Sequence, residues 1–499
     1  MTKNILRFGL LLLVAVASVS CKKQLEVQPR QSILLADALN SRENIDAAIT
    51  GVYSRLKSLR VYGRDMLAVA EALADNASFT NKSGRLVNEN LNVAGASFAN
   101  WQTAYFAIAE VNLILEAIPS LNLVPAISAA ERNRWEGQLY FLRALYYHDL
   151  MRTYAYEPGM GVAGQDRGGV PVILSTPTTV EAAVNALPAR ASIDSVYSLI
   201  KNDLSRANQR LTNDFVTLYP NTATKVAAQA LLARVNLYQK NFTETVRWCD
   251  SVLLTPQVPT RLTGVNSYVS GWTTAIHPES IFEVRYANQT ENPGVNESLQ
   301  TSYTTLLTRG NPSVVGGFGD LVPNATSFGL LGLTVAGTAN ITARTDDVRN
   351  QLFEIGSSAR GTARIECTKF MGKNGFPNLD NVPVIRVPEL YLTRAEARAN
   401  LGLLTDALND LRVVKQARYA NYAVTQQATD NGLTTQAPLL TEILRQRRIE
   451  YMFEGHRWFD LKRLGLNDNT ILYTDFRFLA RIPIREVDNN PNLLQNFGY

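Results

Sequence analysis

Histidine and cysteine are scarce, at three each in 499 residues. Three histidines (His148, His277, His456) leave little for a histidine-rich metal site or a histidine-dependent nucleophilic triad. Three cysteines (Cys21, Cys249, Cys367) cannot build a disulfide framework. Charge is modest too. At 19% charged and 46% hydrophobic, the composition excludes a disordered or coiled-coil protein. Forty-nine basic residues face 44 acidic ones, a mixed surface that lends nucleic acid no support as a partner. The standard catalytic signatures are missing: no glycine-rich phosphate loop before Lys-Ser/Thr, no paired-histidine zinc motif, no Gly-x-Ser-x-Gly elbow. No enzyme, cofactor or metal is therefore expected.

The chain starts with Lys3 and Arg7, then an apolar run from Phe8 to Ala17 that is too short to span a bilayer stably. It reads as the core of a signal peptide over residues 1–20. The small residues Ala17 to Ser20 end directly on Cys21, which resembles a bacterial lipobox. That resemblance implies cleavage before Cys21 and its acylation. Each buried methylene contributes about 0.8 kcal/mol, so several acyl chains hold a protein on a membrane where one does not. No further 18-residue apolar run follows, so no second span is expected. Cys249 and Cys367 are expected as buried thiols or one optional bridge.

From about Ala36 to Leu254 the dominant period is helical. Val196, Leu199, Ile200, Leu204, Ala207 and Leu211 make one stripe behind a cap at Ser192. Gln138 to Leu150 is a second, aromatic-rich helix, and helices resume after Pro388 to about Leu464. Residues 260–385 differ, holding 14 of the 30 glycines. Loops, turns and short strands are expected there, as a subdomain or a functional excursion. Tyr156 to Arg190 is also loop-like. An internal echo links Ala233–Leu237 to Ala397–Leu401: each is a small-residue helix, then a polar turn, then a second helix (Val246–Leu253; Ala407–Val414). Close helix crossing followed by a tight turn is the physics of a tetratricopeptide-type hairpin.

The sharpest patterns are Arg386 to Leu401, Leu444 to Arg463, and Ile482 to Pro491 with its tail Leu493 to Tyr499. Upstream stand Leu25 to Pro29, Trp101 to Leu115, Phe141 to Tyr147, and Gly169 to Val172. Together these resemble the SusD/RagB family of surface nutrient-binding lipoproteins. Gln446 stands where the family often has Glu, and Asn496-Phe-Gly-Tyr499 replaces its usual terminal Asn-Pro-Gly-Tyr. The resemblance implies a mainly α fold, a tetratricopeptide-like helix-pair solenoid with a loop-rich ligand-binding region. After the leader it implies one domain: a helical region 21–259, the glycine-rich region 260–385, and a helical region with tail 386–499. It implies a protein lipid-anchored at the outer membrane, at the cell surface, that binds nutrient glycans and delivers them to a SusC-like TonB-dependent transporter. Peptide capture is the alternative within the family, and a glycoside hydrolase or a structural scaffold are alternatives outside it.

Candidate residues follow from chemistry and position. Arg447, Arg448, Glu450, Glu454, Arg457 and Asp460 form the strongest charge cluster, with Glu450 and Glu454 an i, i+4 pair whose Cβ atoms would lie about 5–6 Å apart on a helix. That spacing suits a retaining glycosidase, but neighbouring arginines favour ionised carboxylates where a general acid must hold its proton. A structural ion-pair network is expected. Flat aromatic faces can cover a pyranose, so the rings of the glycine-rich region are ligand candidates: Tyr268, Trp272, Tyr286, Tyr303, Phe318 and Phe328. Gly316 to Gly319 itself reads as a flexible loop. By family position Asp75, Asn76, Arg85, Asn88, Phe98 and Trp101 join them, Trp101 divided between core and ligand platform.

Overall fold

The computed structural model describes residues 39–177, 179–213, 220–373 and 375–499. The leader and Cys21 lie outside the described residues. The fold is mainly α, as expected. It opens with α1 (Arg42–Arg55), α2 (Asp65–Leu73), the short strand β1 (Ala77–Phe79), α3 (Trp101–Ala117) and α4 (Ala129–Tyr154). Ser128 and Glu131 close a capping box at the start of α4, satisfying orphan amides at both ends of the motif. Next come α5 (Ile193–Arg210), capped by Ser192, then α6 (Lys225–Tyr238) and α7 (Phe242–Leu253). The α5 stripe is buried at Val196, Ile200, Leu204 and Ala207.

Each helix packs on its neighbour: α1 on α3, then α3 on α4, α4 on α5, α5 on α6, and α6 on α7. The chain then leaves the stack through strands β2 (Ser280–Val284), β3 (Leu306–Thr308), β4 (Asn311–Val315), β5 (Leu321–Pro323), β6 (Leu333–Ala336), β7 (Asn340–Arg344), β8 (Phe353–Ile355), β9 (Ile365–Cys367) and β10 (Val382–Arg386). These pair only as two-stranded antiparallel ribbons. α8 (Val387–Asn400) follows, and it packs directly against α7. The intervening residues are thus an excursion from a continuous helical stack. α9 (Leu404–Arg418), α10 (Gln436–Glu450) and α11 (Arg457–Leu464) complete it. The echoed hairpins are α6/α7 and α8/α9. Ala233 and Ala397 are fully buried in them, where small side chains permit close crossing. One apolar core runs from Leu39 to Leu493, and a second gathers α8, α9 and α10 around Leu392, Leu411 and Ile443.

The charge cluster is fully paired, and all of it except the half-buried Arg448 and Arg457 is buried. Glu450 meets Arg349 (3.4 Å), Arg386 (3.0 Å) and Arg418 (3.0 Å). Glu454 meets Lys369 (2.6 Å) and Arg386 (2.8 Å), while Glu279 joins Arg386 (2.7 Å) to Arg418 (2.8 Å). Arg447, Asp460, Arg463 and Glu396 continue the chain of pairs on α10, α11 and α8. Burial alone would raise the Glu450 carboxyl, but Arg418, Arg386 and Arg349 override it and hold it well below the usual range. Glu450 and Glu454 do not share a helix face: α10 ends at Glu450, and Phe453 takes φ +65°. The two carboxylates meet at Arg386 rather than along a helix. Cys249 and Cys367 are free and buried, and burial pushes the Cys367 thiol up to about 12.

Candidate ligand-binding site

Most of the expected ligand aromatics are structural. Tyr303 is fully buried, edge-on to Phe453 at 4.9 Å. Tyr268 lies under the Arg418 guanidinium at 4.2 Å. Trp272 packs at 4.5 Å against His277, with Lys369 and Arg386 over its ring at 5.0 and 5.3 Å. Tyr286 donates its hydroxyl to the Lys57 carbonyl, and Phe98 stacks on Phe459 at 5.4 Å. Phe328 is half-buried against the core. For Tyr268 and Trp272 the physical reason is shared: the excursion folds back on the arginine-rich network, and buried guanidinium groups are favourable against aromatic faces. Tyr268, Trp272, Tyr286 and Tyr303 are all buried and have no face for a ligand.

Trp101 is buried and edge-on to Tyr154 at 5.0 Å, whose hydroxyl accepts its backbone N–H. What remains of it helps line a cleft of about 570 Å³ with Tyr105, Phe106, Ile173, Leu187 and Leu493. Asp75 is held by Arg457 (2.6 Å) and Arg448 (3.2 Å). The fully buried Asn76 donates to Glu71 and accepts from Arg448. Asn88 is exposed, in the helical turn Val87–Asn90.

Two candidates are brought together: Arg85 and Phe318. Pairing of β1 with β5, Phe79 opposite Leu321, sets loop 80–86 beside Gly316–Gly319. Thr80 donates its N–H to the Asp320 carbonyl at 2.8 Å and its hydroxyl to the Gly319 carbonyl at 2.7 Å. Asp320 accepts from the Ser83 hydroxyl and from Arg85 Nε, the latter at 3.2 Å. Burial pushes its carboxyl above the usual range against the pull of both partners. A third loop arrives on the β8/β9 hairpin, where Ile355 pairs with Ile365, and carries Arg360. Phe318 stands where the three loops meet. The Arg85 guanidinium carbon lies 4.7 Å from its ring centroid and that of Arg360 4.1 Å.

The hub beneath is Glu366 on β9, fully buried. It accepts from Lys82 (3.2 Å), the Thr304 hydroxyl (2.9 Å), and the Thr305 N–H (2.6 Å) and hydroxyl (2.7 Å). Gly316 to Gly319 is consequently no slack loop. A Cβ on Gly317 would strike the Thr304 carbonyl oxygen, and one on Gly356 would strike the Glu366 carboxylate. Glycine serves here for close approach. Glu366, Lys82, Asp320 and Arg360 went unseen in the sequence, since no periodicity relates Lys82 to a residue 284 positions away. The face offers guanidinium groups on a rigid base, since the N–H groups of Gly316, Phe318 and Gly319 are spent on Thr301 and Thr305. No group of three or more metal-ligating side chains occurs among the described residues.

The chain matches known families at both ends. A family model described as SusD-like, starch-binding and associating with the outer membrane matches residues 23–237, and the SusD family model matches residues 368–475. The SusD-like protein P38 of Formosa agariphila is 23% identical in an alignment covering 100% of this chain and 99% of P38. The starch-binding protein SusD of Bacteroides thetaiotaomicron is 29% identical over 138 residues, 25% of this chain and 22% of that protein. A SusD superfamily crystal structure from Bacteroides thetaiotaomicron superposes with a TM-score of 0.76 at 23% identity, over 91% of this chain and 99% of that one. A SusD-like carbohydrate-binding protein from Bacteroides vulgatus gives 0.73 at 20% identity, over 90% and 97%. At such identities these structures establish the fold.

Proposed function

The chain belongs to the SusD family, and on that premise we propose that it captures oligosaccharides on the Phe318 face and delivers them to a SusC-like TonB-dependent transporter. Lipid on Cys21 holds it at the outer membrane, at the cell surface. The family is one of sugar-binding, outer-membrane-associated proteins. The observation that carries the choice of face is the meeting of three loops on Glu366, with Arg85, Phe318 and Arg360 at their tips. Loops on a rigid scaffold are where binding groups collect.

The mechanism is affinity and hand-over, with no bond made or broken. Tethering beside a transporter raises the effective concentration, so modest affinity suffices for uptake. Catalysis by the carboxylate cluster has no support, because Glu450 is held ionised among three arginines. Calorimetric titration of oligosaccharides and peptides tests the reading. Saccharide binding that weakens in Phe318→Ala with an unchanged melting temperature is the expected result. Binding that survives points to the cleft beside Trp101. Binding of peptides alone replaces sugar with peptide as the cargo.

A further inference from the structure

We propose that the cargo of the Phe318 face is an acidic saccharide, one whose sugar carries a carboxylate or a sulfate, gripped by the guanidinium groups of Arg85 and Arg360. This rests on the saccharide reading of that face and adds the charge of the substrate to it. Both guanidinium carbons lie within 4.7 Å of one ring centroid, which puts the two cations no more than about 9 Å apart. Among the described residues, Arg85 alone of the two has a counter-charge, Asp320. Arg85 gives Nε to Asp320 and Nη1 to the Asn296 carbonyl, while its Nη2 is buried with no hydrogen-bond partner among the described residues. Arg360 is exposed, and among the described residues the Phe318 ring is its neighbour and no carboxylate pairs with it.

The acidic groups nearby are already engaged. Asp320 is held by Ser83 and Arg85, Glu366 by Lys82 and two threonines, and Glu297 by Arg64 at 2.6 Å. Glu354 lies 3.9 Å from Arg309 and accepts the Gly310 N–H. Arg360 therefore remains an unneutralised fork on a rigid base, beside an Arg85 whose charge Asp320 already meets. Planar guanidinium groups match the paired oxygens of carboxylate and sulfate, and charge-assisted hydrogen bonds are about twice as strong as neutral ones. With guanidinium groups over Phe318, the surface presents N–H donors in place of a bare aromatic plane, which suits a charged substituent better than the C–H face of a neutral pyranose.

The test is calorimetric titration of the full-length protein with maltohexaose, hexagalacturonate, a κ-carrageenan hexasaccharide and hexaglutamate. At roughly 50 mM NaCl at least one acidic sugar should bind about tenfold or more tighter than maltohexaose, and lose most of that advantage by roughly 300 mM. Whichever acidic sugar wins tells carboxylate from sulfate. Arg360→Gln, at an exposed residue with no ion pair among the described residues, should erase the advantage without moving the melting temperature. Equal or better binding of maltohexaose overturns the proposal and leaves the saccharide reading standing. An acidic preference that survives Arg360→Gln overturns it as well. Binding of none of the saccharides overturns both, and a preference for hexaglutamate over both acidic sugars replaces the saccharide with an acidic peptide.

Discussion

Asp75 and Arg457 close a bidentate ion pair across 382 residues of chain, with Nε 2.6 Å from Oδ1 and Nη2 2.8 Å from Oδ2. Arg448 adds a hydrogen bond to the Asp75 carbonyl at 2.8 Å. The pair fastens the end of α2 to α10 and α11. It also turns a residue expected to touch ligand into a joint of the scaffold.

Asp75→Asn should therefore lower stability at neutral pH by about 2 kcal/mol, since it leaves two arginines facing a neutral amide in a largely buried place. Burial would raise the Asp75 carboxyl, but Arg457 and Arg448 hold it below its usual range. A depressed folded-state value gives stability that is present above the unfolded pKa of about 3.9 and fades as pH falls through the folded one. The gap between variant and wild type should close below roughly pH 4. Urea titrations across pH measure it, and affinity for saccharides should stay within about twofold.

Glu450→Gln is expected to be among the most damaging single changes. Three arginines would lose their shared carboxylate in a site without solvent, at a cost of about 3–5 kcal/mol. Thermal unfolding reads the loss. Any hydrolysis of an oligosaccharide that depended on this residue would restore the enzymatic alternative.

His148 supplies a second pH prediction, at milder acidity. Its ring is fully buried, lies edge-on to Tyr238 at 5.1 Å, and has no hydrogen bond at either nitrogen among the described residues. Burial, then Arg152, Arg234 and Lys462, hold its pKa well below the usual value. The unfolded chain alone takes up this proton, so stability falls with pH below about 6.5, by up to about 1.4 kcal/mol per unit from this one group. His148→Phe should flatten that part of the profile, with a benefit that grows as pH falls below about 6.5. An unchanged slope would show that the ring does not stay neutral.

Gly317→Ala probes the site's foundation. The added methyl meets the Thr304 carbonyl, so loop 316–319 must shift and carry Phe318 with it. A loss of saccharide affinity of about tenfold or more is expected, with a drop in stability of about 1–3 kcal/mol.

Cys21→Ala should move the protein from the membrane fraction to the soluble one, because Cys21 directly follows the small-residue end of the leader. Fractionation of cells expressing both forms measures this.

Much of the scaffold was legible before any coordinates. The α5 stripe and its Ser192 cap, the aromatic helix over Gln138–Leu150, both echoed hairpins and the glycine-rich excursion stand where the pattern put them. The candidate site was legible at Arg85 and Phe318 only. Trp272, Tyr268 and Tyr303 were read as available because they sit among glycines in loop-like sequence, yet glycine content reports backbone freedom and says nothing of exposure.

That difference marks the division of labour in this chain. Helix periodicity, caps and small-residue crossings are relations between residues a few positions apart, and the sequence alone determines them because the backbone enforces their geometry. Whether a ring is a ligand platform or a lid over buried arginines depends on which distant segment covers it. Arg386 against Glu454, Lys82 against Glu366 and Arg457 against Asp75 are partners 68, 284 and 382 residues apart. Only the folded chain brings such charges out of water together, and in doing so it decides that Trp272 is core while Phe318 reaches the surface.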